Sequence, residues 1–190
     1  MRVLIYTNMG GQHGMGHAVR MRALARVLAA QGLEMVFVTI TQALQAFVAP
    51  FDSWLPTDIS DKGVCATILG CDPDIAVFDT KEPFDETLYS CIQEGCACPQ
   101  PADHRTTIRV VRIDHPRATI DTCNLLIGPG AHWDLSTIVR LRRDFGKRFL
   151  YGWDYVLLDD EVTQHAPIPY SERVDGPIVF CAGGSDPDDV

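Results

Sequence analysis

Short apolar runs alternate with segments of helical periodicity along this chain, and no other feature restricts its fold as much. Val3–Tyr6 and Met35–Ile40 (MVFVTI) have the unbroken apolar character of strands covered on both faces, as in a parallel sheet flanked by helices. Asp74–Asp79 and Ile108–Ile113 read the same way, and each runs straight into an acid, Asp79 or Asp114. Leu125–Ile127 and Pro177–Ala182 extend the series. Between the runs, Met21, Leu24, Ala25 and Leu28 fall on one face of a 3.6-residue period and predict a helix from about His17 to Gln31, stopped by Gly32. Pro83–Glu94 and Ser136–Phe145 predict two more, and Thr39 or Thr41 can cap a short helix ending at Pro50. From Gly146 to about Pro169 the pattern predicts an irregular connection. Strands and helices in this order predict an α/β fold, a Rossmann-like doubly wound parallel sheet. In such sheets ligands bind beyond the carboxyl ends of the strands, here at loops 7–17, 79–84, 114–118 and 128–134.

The composition suits a cytoplasmic globular protein. Of 190 residues, 46% are hydrophobic and 22% charged, and there is no apolar run of the roughly 18 residues a membrane span needs. Seven cysteines without a secretion signal point to free thiols in a reducing compartment. The net charge of −9 is uneven: nine of the 25 acids, against one of the 16 bases, lie from Asp154 onward. The body is therefore close to neutral, and an extended nucleic-acid surface is not expected. The expected organisation is an N-terminal Rossmann-like domain over 1–153 and a connector over 154–176. Residues 177–190 then read as the first strand and glycine turn of a second domain.

The first loop is the richest in chemistry. Gly10, Gly11, Gly14 and Gly16 let the backbone turn tightly, and the free amides opening the next helix favour an anion. The dinucleotide fingerprint fails, because Val19 stands where its third small residue belongs and the second strand ends in threonines. His17 opens the helix, where the macrodipole disfavours imidazolium, and a neutral ring there can serve as a general base or merely cap the loop. Asp79 and Asp114 can each bond a sugar hydroxyl or orient His17; capping the next helix is the plainer role, and the favoured one for Asp79. His13 and His17 make a weak metal pair. Cys91, Cys96, Cys98 and His104 have zinc-ligand chemistry without paired C-x2-C knuckles, so no metal is expected. The basic stretch from Arg140 to Arg148 reads as a solvated helix face, with phosphate steering a minor alternative.

Gly14-Met-Gly16-His17-Ala-Val-Arg20, followed by Ala23-Leu24-Ala25-x-x-Leu28, resembles the opening of GT-B-fold nucleotide-sugar enzymes. The resemblance is closest to the UDP-sugar hydrolases of pseudaminic acid biosynthesis and related spore-coat polysaccharide proteins. Val110–Asp114, Gly152–Leu158 and the Gly183-Gly184-Ser185-Asp186-Pro187 turn are similar to later segments of that family. The resemblance implies an N-terminal GT-B domain that brings His17 as base, with Gly14, Met15, Gly16, Arg20, Asp79 and Asp114 around the sugar. It implies that Gly183, Gly184, Ser185 and Asp186 open a second domain that holds the nucleotide. The implied ligand is a UDP-linked sugar of the N-acetylhexosamine type, without metal or other cofactor, and the implied partner is the rest of the C-terminal domain. His115 stands where the family has a second acid. The alternative is a non-catalytic Rossmann-like binding module.

Overall fold

The computed structural model describes residues 1–8, 15–80, 85–94, 107–130 and 132–158. β1 (Arg2–Thr7) leads into α1 (Gly16–Ala30), followed by β2 (Glu34–Val38), α2 (Gln42–Val48) and β3 (Asp52–Trp54). Then come α3 (Asp61–Gly70), β4 (Ile75–Asp79), α4 (Glu86–Glu94) and β5 (Arg109–Ile113). β6 (Leu125–Pro129), α5 (Leu135–Phe145) and β7 (Phe149–Gly152) complete the order. All seven strands pair in parallel in one sheet, ordered β3-β2-β1-β4-β5-β6-β7.

Alternation along each strand sends side chains to two helical layers. Val3, Ile5, Phe37 and Val77 pack with Met21, Ala25, Leu44 and Val48 of α1 and α2. Leu4, Val36, Ala76, Phe78 and Val110 pack with Val64, Ile68, Tyr89 and Ile92 of α3 and α4. A smaller cluster, Leu126, Leu141, Phe145 and Phe149, seats α5. Helices on both faces of a parallel sheet make this a Rossmann-like, doubly wound α/β fold. No helix among the described residues is long and apolar enough to cross a membrane.

Local chemistry sets the helix ends. Thr41, Ser60 and Asp134 accept the amides of Leu44, Gly63 and Thr137, capping α2, α3 and α5. After α1, Gly32 adopts φ +81°, and the Gly32 and Leu33 amides donate to Ala29 O and Leu28 O at 2.9 and 3.3 Å. That pair is a Schellman stop, which needs the left-handed residue glycine supplies.

Three elements differ from expectation. β7 replaces an irregular stretch and pairs with β6, while β3 and α3 were not anticipated. The expected connector beyond 158 and the strand and turn at 177–187 lie outside the described residues, as does the expected start of α4 at Pro83.

The sheet also buries a charge. Arg112 has no exposed side-chain surface; it grips both oxygens of Glu86, reaches Thr122 Oγ1 at 3.3 Å and lies 4.0 Å from the Tyr89 ring centroid. One side chain thus ties α4 and the turn before β6 to β5.

Candidate functional site

β1 has β2 on one side and β4 on the other, so the strand order reverses there. This is where open α/β sheets form their ligand crevice. Thr7 and Asp79 are register partners at the floor of the opening. α1 begins above it at Gly16, with no side-chain cap and no acid in its first turn. Among the described residues no side chain takes up the first-turn amides, an arrangement that suits an anion, and a Cβ on Gly16 would meet nothing within 4 Å.

His17 and Arg20 are three residues apart on α1 and share a face. Both turn onto Asp79, whose carboxylate has no exposed surface. His17 Nδ1 lies 2.8 Å from Asp79 Oδ1, while Arg20 donates to both oxygens through Nε and Nη2. Nη2 is also 3.1 Å from His17 Nδ1, but its bond goes to Asp79. Nδ1–H of His17 therefore donates to the carboxylate, and the lone pair stays on Nε2, which has no partner among the described residues. Burial alone lowers the Arg20 pKa, but the bond to Asp79 and the charges of Asp79 and Asp114 outweigh it, and the guanidinium is held above its ordinary value.

Asp79 does not cap the next helix. It ends β4 and lies well before Glu86, where α4 starts, and its acceptor capacity goes to α1. The physical reason is charge: a buried carboxylate gains more from a guanidinium and an imidazole than from a distant helix end.

Asp114 follows β5 with φ +64°, a left-handed conformation that Asp tolerates better than most residues. Its amide still donates to Ile127 O at 2.8 Å, which continues the pairing with β6. Asp114 Oδ2 is 3.8 Å from Arg20 Nη2, and Oδ1 is 2.9 Å from His132 Nε2, though not aligned for a hydrogen bond. Arg20 thus stands between two carboxylates from adjacent strands.

Sequence reasoning missed two histidines of this edge as site residues. His132 follows β6 and His115 follows β5; the available signal was their place just beyond strand ends. His115 is 4% exposed. Burial first, then the Arg112 charge, push its pKa down to about 3, so it is neutral at ordinary pH. Its Nε2, Thr7 Oγ1 and Asn8 Oδ1 are buried without a hydrogen-bond partner among the described residues.

No protein-family model and no curated protein matches the chain. The geometry therefore carries the functional argument.

Met15, Gly16, His17, Arg20, Asp79 and Asp114 converge on the carboxyl edge between α1, β4 and β5. Gly14 and Gly183, Gly184, Ser185 and Asp186 lie outside the described residues, as do His13, Cys96, Cys98 and His104 of the considered metal groups. Among the described residues, no three His, Cys, Asp or Glu side chains are placed to hold a metal ion.

Proposed function

We propose that this chain supplies the base-carrying, acceptor-side half of a nucleotide-sugar hydrolase or glycosyltransferase of the GT-B kind, acting on a UDP-linked N-acetylhexosamine-type sugar in surface polysaccharide synthesis. The observation that carries the reading is the buried Asp79 bonded to His17 at the crevice, which orients the ring and leaves Nε2 to accept a proton. The resemblance of Gly14–Leu28 to nucleotide-sugar enzymes supplies the substrate class.

In this reading Nε2 of His17 takes a proton from water or a sugar hydroxyl. The freed oxygen attacks the anomeric carbon, and the bond from that carbon to the diphosphate oxygen breaks with its electron pair leaving on UDP. The uncapped amides of α1 stabilise charge on the departing group. Arg20 holds Asp79 in place through both carboxylate oxygens, and Asp114 with Gly14, Met15 and Gly16 contacts the sugar. A second domain, opened by Gly183 to Asp186, holds the nucleotide.

The test follows UDP release from UDP-N-acetylhexosamines by the two-domain form in ¹⁸O-labelled water. A hydrolase places the label on the anomeric oxygen of the free sugar, and a transferase releases UDP only when an alcohol acceptor is added. Label on the UDP phosphate, or no UDP release with either acceptor, would refute the reading.

A further inference from the structure

A cleft of about 410 Å³ opens beside this crevice, between the turn after β5 and the start of α5. That volume is in the range of small-molecule sites. Trp133 walls it and is held in a ring stack, 5.9 Å from Phe149 and 5.4 Å from Tyr151 between centroids, with His132 edge-on at 5.8 Å.

Two arginines line the cleft from different elements, Arg117 from the turn and Arg140 from α5. Arg140 donates to the Pro116 carbonyl, which tethers the guanidinium without neutralising it. Its only carboxylate among the described residues is Asp144, at 3.8 Å. Arg117 has none within ion-pair distance among them. The one acid lining the cleft, Asp134, is already taken up: its oxygens accept the Ser136 and Thr137 hydroxyls and the Thr137 amide. Asp134 also caps α5 through the Thr137 amide, and its own charge is directed to that turn, so the attraction for an anion rests on the arginine side chains. Two weakly compensated guanidinium groups from different elements thus converge beside an indole held in a ring stack. They suit an oxyanion, which arginine binds through its planar fork of donors.

We propose that this cleft is a binding subsite for an oxyanion, the phosphate or carboxylate group of a small-molecule ligand. His132 lines the cleft and also reaches Asp114, so a ligand anchored here extends toward the Asp114–Arg20 side of the crevice. The subsite does not depend on the nucleotide-sugar reading, and its test involves no turnover.

Inorganic phosphate and acetate are titrated separately into the full chain at constant ionic strength, following the Trp133 indole and arginine Nε–H signals by NMR. Saturable shifts at Trp133, Arg117 and Arg140 are expected. Arg117→Gln and Arg140→Gln each weaken binding about tenfold, the effect of losing one charge-assisted contact. Arg109→Gln, at the opposite edge of the sheet, changes nothing. Tighter binding of phosphate assigns the subsite to a phosphate group, and tighter binding of acetate to a carboxylate. Equal shifts with chloride, or affinities unchanged in both arginine variants, would overturn the proposal. Arg117 is exposed, so its variant folds normally and remains a valid test if Arg140→Gln does not.

Discussion

Asp79, the last residue of β4, holds His17 Nδ1 at 2.8 Å while its other contacts go to Arg20 on the same helix. One buried carboxylate thus fixes both the orientation of the imidazole and the docking of α1 at the crevice.

Asp79→Asn keeps the shape and removes the charge. Among the described residues the partly buried guanidinium of Arg20 then keeps only the carboxylate of Asp114, at 3.8 Å. Urea unfolding should show a loss of about 3 kcal/mol, the lower end for breaking a buried pair. The ¹⁵N shifts of His17 should report the Nδ1–H tautomer in the parent and a mixture in the variant.

His115 makes stability depend on pH with a definite sign. Its ordinary value is 6.5 and its folded value about 3. Above 6.5 the ring is neutral in both states and adds no slope. As pH falls below 6.5 the unfolded chain takes up a proton that the folded chain refuses, so stability declines until about pH 3 and then levels off. The steepest slope is about 1.4 kcal/mol per pH unit. Arg112, Arg20, His17 and Asp79 also act on the ring, so the check is the difference between parent and His115→Gln, which should lose this slope.

Arg112→Ala leaves a cavity under Tyr89 and removes the fork that holds Glu86. Glu86 is 42% exposed and stays solvated, so the cost comes from the cavity and the lost hydrogen bonds, about 2–4 kcal/mol. Arg112→Lys keeps the charge without the bidentate geometry and should fall between. Denaturant midpoints at constant slope would give both values.

Gly128 sits under the aromatic stack, and a Cβ there would lie 2.6 Å from Tyr151 Cδ2 and 2.9 Å from Trp133 Cζ3. Gly128→Ala must displace both rings, at about 1–3 kcal/mol for overpacking. Near-ultraviolet circular dichroism should change along with stability; an unaltered spectrum would mean the stack is looser than described.

The fold was readable where burial writes a continuous pattern. β1, β2, β4 and β5 are interior strands, and their apolar runs follow from having helices on both faces. β3 carries three residues, two of them exposed, and pairs only with β2, so no pattern marks it. β7 is another edge, and its four residues are only half covered beyond Phe149. α3 did leave a signal, with Ser60 as cap before Val64, Cys65, Ile68 and Leu69 on one stripe. Within the site, His17 was legible from its glycine loop. Its link to Asp79 spans 62 residues and depends on β4 lying beside β1, a fact of topology that local pattern does not carry. His115 and His132 reach the same edge for the same reason.

The most direct test of the account is the rate of UDP release by the two-domain enzyme with His17→Gln. Loss of an oriented general base predicts a fall in kcat of about 10²–10⁴, with the fold and KM nearly unchanged. A rate within a few fold of the parent would contradict the role given to His17, and with it the purpose assigned to Asp79.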